Sequence, residues 1–166
     1  MVYIITGGPG FGKTSLLNEL EGRGFNVCPE EARALLNGVS MLPTNFEQII
    51  ANHRLRFLHS ADPDKVAFAD RGLPDQIAYS CYKNKQPSSF IEELVSSNKY
   101  APIVFMTPPW ENIYTKDEIR KENFKEACQI HNHIIQAYLK YGYQIIDLPF
   151  SSPADRAEFI LNFLGI

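Results

Sequence analysis

The sequence predicts a three-layer α/β/α sandwich around a five-stranded, mainly parallel sheet. Five short apolar segments alternate with helical segments along the chain, and several of them are apolar at every residue rather than at every second one. Continuously apolar strands are typical of parallel sheets that helices cover on both faces, and strand–helix alternation supplies the crossovers that parallel strands need. At 166 residues, with no linker or repeat, residues 1–166 are expected to form a single domain.

Each element follows from a local pattern. The predicted strands are residues 2–6, 25–28, 65–70, 103–107 and 143–148. The predicted helices are residues 13–21, 30–36, 46–58, 75–82, 88–96, 118–141 and 154–164. Gly142 is placed to end the long helix in a left-handed conformation, and Ser152-Pro153 is a start signal for the last helix. In such a sheet, ligands bind at the carboxyl ends of the strands.

The segment after the first strand has the pattern G-x-x-x-x-G-K-T between a buried strand and a helix, which is the context that a phosphate-binding loop requires. Its glycines let backbone N–H groups surround a phosphate chain, a lysine reaches the β/γ-phosphates, and a threonine hydroxyl binds Mg²⁺. The helix that follows directs its positive end at the same phosphates. We therefore expect a nucleoside triphosphate to contact Gly7, Gly8, Pro9, Gly10, Phe11, Gly12, Lys13, Thr14 and Ser15.

Composition restricts the other functions. The net charge of −3 gives no broad basic surface for nucleic acid or for an acidic membrane, and no apolar run has membrane-spanning length. Cys28, Cys81 and Cys128 are odd in number and widely spaced, which favours reduced thiols over a disulfide framework. We expect a cytoplasmic protein that binds neither nucleic acid nor membrane. The oligomeric state has no signal in the sequence.

Charged residues follow three of the predicted strands on the side of the phosphate loop, where they are placed to form the rim of an active site. These candidates are Glu30 and Arg33 after the second strand, Asp70, Arg71 and Asp75 after the third, and Asp117 and Arg120 after the fourth. Ordinary structural roles are open for some of them. Glu30 is equally suited to the first turn of a helix, and residues 116–125 have the composition of a solvated helix face.

The chain resembles the P-loop kinase-like ATPases typified by the ribosylnicotinamide kinase domain of the bifunctional NAD-biosynthesis regulator, a family often labelled as predicted AAA-type ATPases. The resemblance spans essentially the whole chain. The motifs that carry it are the phosphate loop, Glu30-x-Ala32-Arg33, Phe68-Ala69-Asp70-Arg71-Gly72-x-x-Asp75-x-x-Ala78-Tyr79, Pro108-Pro109-Trp110-x-x-x-Tyr114-x-x-Asp117-x-x-Arg120 and Tyr138-x-x-x-Gly142-Tyr143.

This resemblance implies the kinase-type strand order 2-3-1-4-5 and a lid over about residues 108–125. By analogy with nucleoside and nucleoside-monophosphate kinases, Glu30 would accept the proton of an acceptor hydroxyl and Asp70, with Thr14, would hold Mg²⁺. Arg71 and Arg120 would neutralise charge on the transferred phosphoryl group, together with Lys13. The remaining candidates, Arg33, Asp75 and Asp117, would bind the acceptor.

The residue after Asp70 bears on the reaction type. Hydrolytic motor ATPases usually place a water-activating Glu there, whereas this chain has Arg71. No guanine-specific N-K-x-D signature follows a strand, so ATP is favoured over GTP. The sequence predicts ATP-dependent phosphoryl transfer to a small hydroxyl-bearing acceptor, with nucleosides, nicotinamide riboside and other acceptors all open. The alternative is a regulatory or slowly hydrolysing ATPase module that a partner protein reads.

Overall fold

A computed structural model describes residues 1–30, 45–114 and 122–166. Its centre is one five-stranded sheet in which every strand pair is parallel and the order is β2-β3-β1-β4-β5. The strands are β1 (Val2–Thr6), β2 (Asn26–Cys28), β3 (Ala67–Asp70), β4 (Ile103–Met106) and β5 (Gln144–Asp147). The sandwich and the strand order that the sequence and its resemblance predict are both confirmed.

Helices cover both faces of this sheet. They are α1 (Lys13–Gly22), α2 (Phe46–Ser60), α3 (Leu73–Tyr82), α4 (Ser89–Ser97), α5 (Phe124–Lys140) and α6 (Pro153–Leu164), with a 3-10 turn at Glu111–Ile113. Helices α1 and α6 pack on one face and α2 to α5 on the other. Successive residues of β1 point to opposite faces of the sheet, so Ile4 packs against the layer of α2–α5 and Ile5 against the layer of α1 and α6. Both residues are fully buried, which is why the strand is apolar throughout.

The register of the sheet brings the ends of three strands together. Ile5 lies opposite Asp70 across the β1–β3 pair, and Cys28 lies opposite Ala69 across the β2–β3 pair. The segments that follow these strands contain the phosphate loop, Glu30 and Arg71. The fold therefore gathers residues that are far apart in sequence at one edge of the sheet.

Several predicted helix boundaries differ from the structure, and two of these differences lie near the site. The helix expected over 118–141 begins at Phe124, because Asn123 and Glu126 form a capping box in which each side chain bonds to the other residue's backbone N–H. Glu30, expected to open a helix, is not helical, and residues 31–36 lie outside the described residues. In the described part of the chain, no helix combines the length and apolarity needed to cross a membrane.

Candidate active site

The phosphate loop joins β1 to α1 and depends on two glycines. Gly7 has φ 143°, and a Cβ atom there would lie 2.3 Å from Oγ1 of Thr107. Gly12, at the start of α1, has φ 78°. Residues with a side chain rarely adopt these backbone angles, so the loop conformation requires glycine at both positions. The first N–H groups of α1 have no partners within the helix, and together with the helix dipole they favour an anion at this point.

Lys13 lies inside the loop. Its side chain is buried, and Nζ donates hydrogen bonds to the carbonyl oxygens of Gly7 at 3.1 Å and Gly8 at 2.8 Å. Burial, and next the charge of Arg71, lower the pKa of Lys13 to about 8. The adjacent Thr14 and Ser15 are exposed. The loop thus holds a desolvated ammonium group beside two accessible hydroxyls, a combination suited to phosphate oxygens.

Asp70 ends β3 and is 5% exposed. Its Oδ1 is buried without a hydrogen-bond partner among the described residues. Burial, and next the charge of Glu30, raise the pKa of Asp70 to about 6. A buried carboxylate oxygen without a donor fits a divalent cation, for which the exposed Thr14 hydroxyl would be a second oxygen ligand. No cluster of three metal-ligating side chains occurs in the described ranges, but Mg²⁺ at phosphate sites needs only one or two carboxylates.

Arg71 is fixed from three directions. Its Nε donates to Glu30 Oε1 at 2.9 Å, and its Nη1 donates to Asp75 Oδ1 and to the Gly7 carbonyl oxygen, both at 3.0 Å. Its φ of 68° is unusual for a residue other than glycine. The guanidinium is 3% exposed, with its carbon 5.3 Å from the centre of the Tyr79 ring. Strained backbone held by such contacts is a feature of functional sites, and here it places a cation against the phosphate loop.

Glu30 remains partly accessible, with 24% of its side chain exposed. Burial raises the pKa of Glu30, but the positive charges of Arg71 and Lys13 outweigh burial, so that the pKa falls to about 2. Glu30 is therefore an ionised hydrogen-bond acceptor at neutral pH, with one side towards Arg71 and the other towards solvent.

The surroundings of Asp75 differ from those expected of a residue that contacts substrate. Asp75 is fully buried. Oδ1 accepts from Thr6 Oγ1 at 2.6 Å and from Arg71, and Oδ2 accepts from Tyr138 Oη at 2.6 Å and from the Gly72 N–H at 2.9 Å. Protein donors thus occupy both oxygens. Asp75, predicted from the sequence to bind the acceptor, instead contacts the Arg71 guanidinium, and both of its oxygens are already used by the protein.

A family model described as an AAA domain matches residues 2–156. The chain belongs to this AAA domain family. No curated protein is similar enough in sequence to match this AAA domain protein.

Solved structures resemble this AAA domain protein along its whole length. Thymidylate kinase from Ehrlichia chaffeensis aligns with a TM-score of 0.66 and 16% identity, covering 98% of each chain. Deoxyadenosine kinase from M. mycoides with bound dATP aligns with a TM-score of 0.67 and 16% identity, covering 100% of each chain. Thymidylate kinase from Candida albicans aligns with a TM-score of 0.62 and 14% identity, covering 99% of this chain and 90% of that one. At such identities the likeness shows the fold: this AAA domain has the P-loop architecture of nucleoside and nucleotide kinases.

The structure brings together Lys13, Glu30, Asp70 and Arg71 of the predicted site, with Asp75 behind them. Arg33, Asp117 and Arg120 lie outside the described residues, as do residues 115–121 of the predicted lid. Three residues at the site were given no role by the sequence: Thr6, Tyr138 and Arg156. Thr6 ends β1 and Tyr138 belongs to a quoted motif, so each carried a signal in the sequence. Arg156 carried none, because only the fold brings α6 next to the phosphate loop.

Proposed function

We propose that this AAA domain protein is an ATP-dependent phosphotransferase that transfers the γ-phosphoryl group to a hydroxyl of a nucleoside or a nucleotide-like metabolite. The observation that carries this proposal is the Glu30–Arg71 ion pair beside the phosphate loop. In this pair a partly exposed carboxylate, able to accept a hydrogen bond from a hydroxyl, lies next to a guanidinium that contacts the phosphate loop at the Gly7 carbonyl oxygen. The resemblance in fold to deoxyadenosine and thymidylate kinases supports the same class of acceptor, and nicotinamide riboside belongs to that class.

In the proposed reaction, the acceptor oxygen forms a bond to the γ-phosphorus as the bond between that phosphorus and the β–γ bridging oxygen breaks. ADP leaves with the bridging oxygen, and the hydroxyl proton passes to Glu30 and then to solvent. A carboxylate whose pKa is about 2 is a weak base, so the proton moves late, after bonding to phosphorus is advanced. A loose phosphoryl-transfer transition state has this order. Glu30 then serves first to orient the hydroxyl.

The surrounding residues supply position and charge. Lys13 binds the phosphate chain after leaving the carbonyl oxygens of its own loop, and Arg71 balances charge that spreads onto the moving group. Asp70 and Thr14 would hold Mg²⁺, which would supply positive charge that offsets the charge of the phosphates. The expected surroundings of the protein are cytoplasmic, in agreement with its composition and its widely spaced cysteines.

The test is ADP release with Mg-ATP, measured with and without a panel of nucleosides, nucleotides and vitamin ribosides. Acceptor-dependent ADP release is expected from the wild type. Glu30→Gln should lower kcat by about 10²- to 10⁴-fold while the Kd for ATP stays within about threefold, because the acceptor hydroxyl is oriented and deprotonated by the carboxylate. Glu158→Gln is the matched control, because Glu158 is also paired with an arginine, Arg23, but at the exposed surface. It should leave both constants unchanged.

Two results would contradict the proposal. ADP release that no acceptor stimulates would favour the regulatory or slowly hydrolysing ATPase module instead. Full transfer activity in Glu30→Gln would remove Glu30 from the mechanism and with it the observation on which the proposal depends.

A further inference from the structure

A buried arginine lies against the phosphate loop and has no role in the proposed phosphoryl transfer. Arg156, in the first turn of α6, is 3% exposed. A Cβ atom placed on Gly12 would lie 3.0 Å from its Nη1 and 3.2 Å from its Nη2. The guanidinium therefore touches the loop at the residue before Lys13. Its carbon is 6.0 Å from the centre of the Trp110 ring, a distance at which an aromatic face attracts a cation.

The other buried cations near the site have acceptors. Lys13 donates to two carbonyl oxygens, Arg71 to two carboxylates and a carbonyl, and Arg54 Nη1 to the Gly72 carbonyl oxygen at 2.8 Å. Over residues 1–30, 45–114 and 122–166, by contrast, no carboxylate or carbonyl accepts a hydrogen bond from the Arg156 side chain, and its Nε is buried without a partner. Burial lowers the pKa of Arg156, and no acid in the described ranges forms an ion pair with it.

A buried cation without a counter-charge is costly, because desolvation is not offset by an ion pair. Such a group is stabilised when an anion arrives. The anion that this loop is built to hold is a phosphate chain, because the loop presents the N-terminus of α1 and Lys13. The planar fork of an arginine matches two phosphate oxygens at once.

We propose that Arg156 binds the phosphate chain of the donor nucleotide, as a second cation beside Lys13 that is in place before the nucleotide arrives. This inference rests on the nucleotide-binding part of the proposed function and not on the identity of the acceptor. Because the guanidinium is already desolvated and held between Gly12 and Trp110, little rearrangement is needed on binding. Arg156 would thus add a positive charge from α6 to the positive charges of Lys13 in the loop and of Arg71 directly after β3.

The experiment measures the Kd of two probes, ATP and inorganic tripolyphosphate, by calorimetry with no acceptor present. Arg156→Met keeps the apolar length of the side chain and removes the charge. It should raise the Kd of both probes by about 10- to 100-fold, the loss of affinity typical of a hydrogen bond to a charged group. It should not lower the Tm of the nucleotide-free protein, because a buried charge without a partner has been removed. Arg23→Met is the matched control, since Arg23 is paired with Glu19 and Glu158, and it should leave both Kd values unchanged.

The outcomes separate the possible roles. An unchanged Kd for tripolyphosphate in Arg156→Met would overturn the proposal, and a loss confined to ATP would show that Arg156 contacts the base instead. If Arg156→Met does not fold, Arg156→Gln replaces it: this variant removes the charge but keeps an amide donor, and an unchanged Kd for tripolyphosphate would again overturn the proposal. Wild-type protein that binds neither probe would overturn nucleotide binding altogether. Normal binding without any phosphoryl transfer would count only against the proposed function.

Discussion

At the scale of single residues, the raised pKa of Asp70 lowers the stability of the folded protein at neutral pH. Its pKa of about 6 is above the ordinary value for an aspartate. The folded state therefore binds more protons than the unfolded state between about pH 4 and pH 6. Over that range stability falls as the pH rises, and at neutral pH the ionised Asp70 lowers the stability of the protein, an effect that a bound cation would offset.

Replacing Asp70 with a neutral residue should remove this destabilisation. Asp70→Asn is expected to raise the Tm of the nucleotide-free protein at pH 7.5 by a few degrees, equivalent to about 1–3 kcal/mol, and to lower Mg²⁺-dependent activity by at least about 10²-fold. The gain in Tm should shrink towards pH 4, where the wild-type carboxyl is protonated. Thermal unfolding between pH 4 and pH 8 measures the change in Tm, and ADP release with Mg-ATP measures the change in activity. Asp64→Asn, at an exposed aspartate, is the control, and a lower Tm for Asp70→Asn at pH 7.5 would show that the carboxylate stabilises the empty site.

At the scale of secondary-structure elements, Asp75 connects three of them. It lies on α3, and its oxygens accept hydrogen bonds from Thr6 at the end of β1 and from Tyr138 on α5. The positive charges of Arg71 and Arg54 and the hydrogen bonds from Thr6 and Tyr138 outweigh the effect of burial, so the pKa of Asp75 is lowered. One carboxylate therefore fixes two helices and the Arg71 guanidinium relative to the phosphate loop.

This position predicts different effects for two substitutions. Asp75→Asn should lower the free energy of unfolding by about 2–4 kcal/mol and reduce kcat by about 10- to 100-fold, because Arg71 loses a buried counter-charge and its orientation. Tyr138→Phe should lower the free energy of unfolding by about 1–2 kcal/mol. It should change kcat by less than threefold, because the contact between Asp75 and Arg71 is kept. Urea unfolding and steady-state kinetics measure the two quantities. A kcat for Asp75→Asn equal to that of Tyr138→Phe would limit Asp75 to a purely structural role.

The elements also show what the sequence could and could not reveal. The phosphate loop was predictable because its strand, glycines, lysine and helix are contiguous, and the strands were predictable because short, continuously apolar runs between helical segments are typical of buried parallel strands. The start of α5 was misplaced because residues 116–122 are mostly charged and compatible with a helix, while the capping box of Asn123 and Glu126 is a short local signal. The burial of Asp75 behind Arg71 depends on Tyr138, which is distant in sequence, and the environment of Arg156 depends on how α6 packs. Such pairings are set by the tertiary fold alone.

At the scale of the whole molecule, charged side chains gather at the carboxyl edge of the sheet. Glu30, Arg71 and Asp75 compensate one another, whereas among the described residues Asp70 Oδ1 and Arg156 Nε are buried without hydrogen-bond partners. One of these two groups attracts a cation and the other an anion. A magnesium–nucleotide complex offers both charges in one ligand.

Metal removal should therefore weaken nucleotide binding in a way that depends on Asp70. With Mg-ATP at about one hundred times its Kd, mass action adds about 2.7 kcal/mol to stability, a rise in Tm of roughly 5–10 °C for a domain of this size. With EDTA present, the phosphate chain meets the ionised Asp70 without a metal between them, so we expect less than half of that rise at the same ATP concentration. In Asp70→Asn the repulsion is absent, and EDTA should change the shift by much less than in the wild type. Thermal unfolding with and without EDTA measures this difference, and equal shifts in the wild type under both conditions would show that Asp70 does not meet the phosphates through a metal ion.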